Sequence, residues 1–283
     1  MVPAEGGEAQ ILDAGEPYYW TWAPDSQSML IHAGGAARTR SDARLAFLSL
    51  YGGVAETGLD IRPASFQTPA WSPDGKHMLM AIETDDGNNA LVLTDRDGKM
   101  KRVLTTFDGS IAFGWSPDGK KVAYIASNRQ PPGIVGLLTV IDPEKPFDSR
   151  VTADETQVIA FFWSPNSRKL AYFVPSLFSP TPEPNQPESS EQVQVLLSIG
   201  ILDVKRGESQ SGPTFPPTDD FLSILPYFDQ YQHSATIWSP DSRNLVLSSY
   251  TSSSEPGIWI VAASGKLEPR YLTAGTMAFW SWK

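Results

Sequence analysis

A five-residue repeat constrains the fold of this chain more than any other feature of its sequence. Each copy begins with Trp and continues with Ser, Pro, Asp and Gly or with close substitutes. The copies start at Trp22, Trp71, Trp115, Trp163 and Trp238, and a shortened sixth consists of Trp280 and Ser281. Successive Trp residues are 49, 44, 48, 75 and 42 positions apart. Four of these five spacings are close to the length of one four-stranded propeller blade.

Each repeat also carries a pattern of short strands. An apolar run such as Val122 to Tyr124 follows the motif, and a second run, such as Ala90 to Thr94, begins about 20 residues after the Trp. A Gly-containing turn and a fourth apolar run complete the unit, which predicts an antiparallel meander of strands A to D. We therefore expect an all-β fold, a β-propeller of six blades of four-stranded antiparallel sheets, with one blade reduced or closed by the termini. Five full blades is the alternative.

Local chemistry explains the motif without a catalytic role. Pro presets φ in the turn between strands A and B, Asp accepts backbone N–H groups, and Gly tolerates the left-handed conformation. A large Trp ring can fill the wedge between neighbouring blades. Ser replaces Gly in copies one, four and five, for which we expect slightly different turns. We interpret the following residues as structural, and not as metal ligands: Trp22, Trp71, Trp115, Trp163, Trp238, Trp280, Asp25, Asp74, Asp118 and Asp241.

The segments that begin at Trp71 and Trp115 read Trp-Ser-Pro-Asp-Gly-Lys, and they resemble the WD-like repeats of TolB-type propellers. Similar repeats form the propeller domains of prolyl oligopeptidase-like and tricorn-like proteases. The resemblance covers nearly the whole chain. It implies a propeller and an association with protein complexes of the bacterial cell envelope, but a repeat that specifies a blade does not specify a site.

Closure of the ring is the open structural question. Residues Met277 to Trp282 offer the A strand of a sixth blade, and residues 8 to 14 lie where the D strand of a preceding blade would be. We expect the two termini to meet in one blade, which would protect the sheet edges. No segment supplies strands B and C there. Either this blade is reduced, or the natural polypeptide is longer, or the ring is open. We treat residues 1–283 as one domain.

Composition excludes several classes of function. With 22 basic and 32 acidic residues the net charge is −10, and no dense basic run could neutralise a nucleic-acid backbone. No apolar stretch is long enough to span a membrane, and residues 1 to 15 lack the pattern of a signal peptide. The chain has no Cys, its three His residues are dispersed, and it lacks a Gly-x-Ser-x-Gly nucleophile elbow. We therefore predict no catalytic residue, no metal site and no cofactor.

The topology predicts which face carries recognition. The A–B and C–D turns lie on one face of a blade, so the variable B–C and D–A loops share the opposite face, called here the loop face. Blade four carries insertions on it at about 175–191 and 215–233. The first is Pro-rich and predicts a semi-extended, exposed loop. The second predicts a helix starting near Thr218 and limited by Pro226; it could cap its own blade or contact a partner.

From these loops and insertions we select candidate partner-binding residues: Tyr18, Arg38, Arg40, Arg129, Phe178, Phe221, Tyr227, Phe228, Tyr231 and His233. The residues favour a non-enzymatic, monomeric scaffold that binds a protein or peptide through the loop face. The resemblance to TolB-type propellers implies the bacterial cell envelope or extracytoplasmic space, with a cytoplasmic location as the alternative. One alternative is a substrate-gating propeller domain of a larger serine peptidase. Another is a metal-dependent propeller enzyme, with acidic residues holding an ion in the channel.

Overall fold

The strands form successive antiparallel sheets in which each strand pairs with its neighbour along the chain. The computed structural model describes residues 2, 4–50, 53–127, 134–148, 150–155, 157–178, 194–232, 234–264 and 268–281. Within these ranges there are five sheets, four with four strands and one with three. This is the predicted meander, and the predicted all-β propeller class is confirmed.

The strands follow the blades in order. Blade one contains β1 (Tyr18–Trp22), β2 (Ser28–Ala33), β3 (Arg44–Ser49) and β4 (Ala55–Gly58). Blade two contains β5 (Ala70–Trp71), β6 (His77–Glu83), β7 (Asn89–Asp95) and β8 (Met100–Phe107). Blade three contains β9 (Ser110–Trp115), β10 (Val122–Ser127), β11 (Leu137–Ile141) and β12 (Arg150–Thr152). Blade four contains β13 (Ala160–Trp163), β14 (Lys169–Phe178), β15 (Gln194–Asp203) and β16 (Glu208–Phe215). Blade five contains β17 (Asn244–Tyr250), β18 (Pro256–Ala262) and β19 (Pro269–Ala274).

The motif forms one repeated hydrogen-bonded turn. In blade two, the Ser72 hydroxyl donates to Asp74 Oδ1 at 2.7 Å and accepts from the His77 N–H at 3.0 Å. The same Asp74 oxygen accepts from the Lys76 N–H at 3.1 Å, and Gly75 adopts φ +68°. Equivalent hydrogen bonds recur in the turns that begin at Ser116, Ser164 and Ser239. The motif Asp and Asn residues are thus occupied by turn chemistry.

Serine at the Gly position keeps the same turn, so the expectation of a different one was wrong. Ser167 and Ser242 both have φ +60°, close to the +68° of Gly75. The Ser167 hydroxyl accepts a hydrogen bond from the Asp118 N–H of blade three at 3.0 Å. The Ser242 hydroxyl likewise accepts from the Asn166 N–H of blade four at 3.1 Å. These serines therefore join each blade to the preceding one.

The motif tryptophans pack between blades where a preceding blade is present. Trp238 is fully buried, and its indole Nε1 donates to the Phe162 carbonyl of blade four at 2.8 Å. Trp115 Nε1 donates in the same way to Ala70 O of blade two at 3.2 Å. Trp22 occupies the same repeat position in blade one but is 45% exposed. Trp22 instead lines a groove together with Trp71 and Pro73 of blade two.

The termini do not pair in the predicted way within the described residues. The Trp280 N–H donates to the Thr236 carbonyl of blade five at 2.8 Å. Residues 8–14 form no strand; instead Asp13 accepts hydrogen bonds from Arg44 at 2.8 Å and Tyr18 at 3.0 Å in blade one. Each end is therefore held by its own nearest blade. The described residues form five sheets, four with four strands and a fifth with three, and a sixth sheet is not among them.

The second insertion is helical, as predicted. It contains α1 (Asp219–Ile224), a 3₁₀ turn (Leu225–Tyr227) that includes Pro226, and α2 (Phe228–Tyr231). The Thr218 hydroxyl accepts a hydrogen bond from the Phe221 N–H at 3.3 Å, which caps α1. Phe221 is fully buried, and its ring meets that of Phe173 in blade four edge-on at 5.5 Å. This part of the insertion caps its own blade.

Candidate functional site at the mouth of the channel

The helix α2 lies among the inner strands, where a propeller has its channel. The Phe228 ring packs against Phe161 and Phe162 of β13, at centroid distances of 4.9 and 6.2 Å. Asp229 reaches the backbone of Thr68 just before β5, and Gln232 contacts Gly114 of β9. The insertion therefore plugs the channel.

This path explains the shortened inner strand of blade five. The chain leaves α2 inside the channel and joins the fifth blade at Thr236, only two residues before Trp238. Among the described residues, a single bridge between Trp238 and Leu245 then takes the place of a full A strand. The sheet of blade five consequently has three strands.

Above the plug, a cavity of about 470 Å³ opens at the loop face. Its lining comes from the B–C loops of blades one and three, from the approaches to β1, β5 and β9, and from the insertion. The residues are Pro17, Tyr19, Gly34, Gly35, Ala36, Thr39, Arg40, Phe66, Ser110, Ile134, Pro226, Tyr227 and Asp229. Three blades and the plug thus form one concave site, which we call the mouth cavity.

Aromatic rings form much of its wall. Tyr19 and Phe66 stack in parallel, with centroids 4.1 Å apart and an angle of 3° between the rings. Tyr227 lies at the rim and is 45% exposed. Gly34 permits the tight loop beside them, because its φ is +80° and an added Cβ would lie 2.8 Å from the Ala43 Cα. The wall is therefore set by close backbone packing as well as by rings.

A buried histidine supports this wall from behind. His32 is fully buried in β2. Its Nδ1 lies 2.9 Å from the Gln67 carbonyl and its Nε2 lies 2.8 Å from the Gly35 carbonyl. Burial lowers the pKa of His32, and the two carbonyl contacts oppose that effect. The ring thereby ties the Gly34–Gly35 loop to the segment that carries Phe66.

The floor of the mouth cavity contains one buried carboxylate. Asp229 is 5% exposed and accepts hydrogen bonds from the Thr68 N–H at 3.3 Å and its neighbour Gln230 N–H at 3.0 Å. Burial raises the pKa of Asp229 to about 6, and the hydrogen bonds from the Thr68 and Gln230 backbones oppose the increase. Burial, and next the nearby Asp229 charge, raise the pKa of Tyr19, so its phenol stays neutral.

Asp229 has no cationic partner among the described residues: no Lys, Arg or His nitrogen of theirs forms an ion pair with it within 4.0 Å. Arg40 lines the same cavity, but its guanidinium is engaged by Asp42, with contacts of 2.9 and 2.7 Å. The cavity thus combines aromatic walls with a buried carboxylate that forms no ion pair with the residues the structure describes.

The structure brings together some of the residues selected from the sequence. Arg40 and Tyr227 line the mouth cavity. Arg38 lies nearby on the same loop and donates to the Gly87 carbonyl of blade two at 2.8 Å. Tyr18 is half-buried, donates a hydrogen bond to Asp13 and is not among the residues that line the mouth cavity. Phe178 is exposed at the end of β14, in the base of the first insertion.

Other selected residues lie elsewhere. Phe221 and Phe228 are core residues, at 0% and 1% exposure, and offer no surface to a partner. Tyr231, the last residue of α2, lines a groove of about 660 Å³ at the motif turns, together with Trp20 and Trp22. The helix descends through the channel, which carries Tyr231 away from the loop face. Arg129, His233 and residues 179–191 of the first insertion lie outside the described residues.

Sequence reasoning missed Asp229, Tyr19 and Phe66. Asp229 follows Phe228 near the end of a short, apolar helical segment. A carboxylate at such a position is normally exposed to solvent. Its flanking aromatic residues were the available signal, since an acid within an aromatic run must be either exposed or buried beside a polar group. Only the path of the insertion decides between the two.

The structure contains neither a metal-ligand cluster nor a membrane-spanning helix within its described ranges. No three or more Asp, Glu or His side chains there are grouped so that they could hold a metal ion. No helix in the same residues is long and apolar enough to cross a membrane.

Comparison with known proteins gives structural likeness without sequence relatives. No protein-family model matches the chain, and no curated protein matches it in sequence. An oligogalacturonate lyase in complex with manganese has a TM-score of 0.53 at 11% identity, with 89% of this chain and 64% of the lyase covered. Hydrazine synthase of Kuenenia stuttgartiensis has a TM-score of 0.50 at 13% identity, with 94% and 70% covered.

TolB from Acinetobacter baumannii is also similar, with a TM-score of 0.49 at 16% identity and 95% of this chain covered. The chain spans 60% of the length of that TolB. TolB and tricorn protease are thus among the similar solved structures, as the motif resemblance predicted. At these identities the likeness concerns the fold alone.

Proposed function

We propose that this chain is a non-enzymatic scaffold that binds a protein or peptide partner through the mouth cavity on its loop face. The observation that carries the proposal is the convergence of loops from three blades and the insertion on one concave, aromatic site. Concave sites with a few placed polar groups are where ligands bind, and loops on a rigid scaffold commonly carry recognition.

The channel plug supports binding at the mouth over passage through the ring. The rings of Phe161, Phe162 and Phe228 pack in the channel, so a substrate could not pass without moving α2. This weakens the alternative of a substrate-gating domain. A protein partner would instead place a loop or side chain into the mouth cavity and rest on the surrounding loops.

The proposed location is the bacterial cell envelope or the extracytoplasmic space, and the protein is proposed to be monomeric without its partner. This part rests on the resemblance of the motif to TolB-type repeats. Fractionation of cells expressing the natural gene tests the location: recovery only from the cytoplasm would contradict it. Light scattering of the purified chain tests the oligomeric state.

A peptide library tests the binding face. Random peptides displayed on phage are selected on the wild-type chain, and their affinities are measured by calorimetry for two variants. Tyr227→Ala removes a rim residue of the mouth cavity, whereas Tyr271→Ala removes a tyrosine of similar exposure, 46% against 45%, on the outer strand β19. We expect selected peptides to lose about tenfold or more in affinity with Tyr227→Ala only. Peptides insensitive to Tyr227→Ala would overturn the proposal.

A further inference from the structure

Asp229, which forms no ion pair with the described residues, indicates what the mouth cavity recognises. We infer that it binds a basic side chain of the partner, a lysine or an arginine, with Asp229 as the counter-charge and Tyr19, Phe66 and Tyr227 as the aromatic wall. This inference rests on the proposed function and names the ligand chemistry of the same site.

The first argument is electrostatic. Ionised carboxylates are almost never fully buried unless they are paired. Asp229 is 5% exposed, and its hydrogen-bond donors are the neutral N–H groups of Thr68 and Gln230. A cation arriving through the cavity would compensate the charge without first breaking an existing ion pair of the described residues.

The second argument is access and fit. Asp229 is among the residues that line the mouth cavity, so a side chain that enters from the loop face would lie beside it. A volume of about 470 Å³ lies within the range of pockets that hold small organic ligands, and one long side chain fits it. The tyrosines and Phe66 add cation–π attraction, which is stronger in a desolvated site. Lysine and arginine combine a long apolar stem with a terminal cation, and both parts suit this lining.

The third argument is selectivity. A glutamate or aspartate side chain in the cavity would meet Asp229 as a like charge, which is strongly unfavourable at a desolvated interface. An apolar side chain would leave the carboxylate unpaired and further desolvated. Arg40 does not already serve as the cation, because Asp42 holds its guanidinium through two hydrogen bonds. Charge complementarity thus selects a basic residue.

The test uses four capped tripeptides with glycine on either side of lysine, arginine, norleucine or glutamate. Each is titrated into the full chain and followed by backbone-amide NMR. The lysine and arginine peptides should shift the amides of Gly35, Phe66 and Tyr227, with at least about tenfold higher affinity than norleucine, which corresponds to about 1.4 kcal/mol. Equal binding of norleucine, or no binding of either basic peptide at millimolar concentration, would overturn the inference.

Variants separate recognition from folding. Asp229→Asn keeps the shape of the side chain and an acceptor oxygen but removes the charge. It should abolish the preference for basic peptides, while its backbone-amide spectrum should remain that of a folded protein. Should Asp229→Asn fail to fold, Tyr227→Ala at the exposed rim replaces it and should weaken basic-peptide binding severalfold, with Tyr271→Ala as the unaffected control. An unchanged preference in a folded Asp229→Asn would count against the inference.

The two proposals can fail separately. If the affinity of the library peptides depends on Tyr227 but the peptides carry no basic residue, the binding face stands and the inference of a basic side chain is refuted. If the lysine and arginine tripeptides bind at Asp229 while the library peptides bind elsewhere, the cation site stands and the proposed binding face is refuted.

Discussion

The Asp229 carboxylate accepts a hydrogen bond from the backbone N–H of Thr68, a residue 161 positions earlier in the chain, at 3.3 Å. This contact joins the inserted helix α2 to the approach of the second blade. It places a titratable group at the centre of the ring, where its charge state bears on both stability and recognition.

Asp229 should make stability depend on pH. Its pKa is raised from 3.8 to about 6, so the folded state favours the protonated form. The resulting stability is fully present below the unfolded pKa of 3.8 and is lost as the pH rises through about 6. At pH 7.5 and above the charged form costs up to about 3 kcal/mol.

Denaturant unfolding of the wild type and Asp229→Asn between pH 4 and pH 8 measures this effect. The wild type should lose stability relative to Asp229→Asn as the pH rises. Tyr19, whose pKa the nearby Asp229 charge raises, is common to both proteins. Parallel stability curves for the two proteins would contradict the prediction.

The serine hydroxyls between blades should each contribute measurably to stability. Ser242→Ala keeps the Cβ at φ +60° but removes the acceptor of the Asn166 N–H. We expect a loss of about 1 kcal/mol in the free energy of unfolding. Ser26→Ala is the matched control, because Ser26 has φ +59° and its hydroxyl has no interblade hydrogen bond among the described residues; it should change stability by less than about 0.5 kcal/mol.

The motif tryptophans should differ in their energetic weight although they share one repeat position. Trp238→Phe removes a fully buried indole and leaves the Phe162 carbonyl without its donor. It should cost about 2–3 kcal/mol. Trp22→Phe, at a side chain 45% exposed, should cost less than about 1 kcal/mol. Equal losses in thermal or denaturant unfolding would show that Trp22 also packs against a blade.

Thr218 should anchor the insertion. Its buried hydroxyl accepts from the Phe221 N–H and donates to the Thr276 carbonyl, so it caps α1 and fixes the C-terminal segment. Thr218→Ala should lower the free energy of unfolding by about 1–2 kcal/mol, whereas Thr218→Ser, which keeps the hydroxyl, should lose clearly less. Hydrogen exchange of the Phe221 and Phe228 amides should accelerate in Thr218→Ala alone.

The fold could be predicted because its signals are local and repeated. Each Trp-Ser-Pro-Asp-Gly turn is specified by its own side chains, as the bonds around Ser72 and Asp74 show. The motif copies with Ser in place of Gly seemed to predict a different turn, because the partner of Ser167, the Asp118 N–H, belongs to another blade. A hydrogen bond over 49 positions leaves no trace in a local pattern.

The site could be predicted only in part. The connections of an antiparallel meander alternate between its two faces. Strand order alone therefore predicted that Arg40 and Tyr227 lie on the loop face. Which way the insertion turns after Pro226 depends on the packing of Phe228 against Phe161 and Phe162. That turn takes the helix into the channel, buries Asp229 and carries Tyr231 to the opposite side.

A crystal structure of the chain bound to a library-selected peptide tests the central claim most directly. The account predicts α2 inside the channel and the peptide on the loop face, with a lysine or arginine side chain in the mouth cavity and its nitrogen within 4 Å of the Asp229 carboxylate. A peptide seated at the motif turns beside Trp20 and Trp22, or an insertion lying outside the channel, would contradict it.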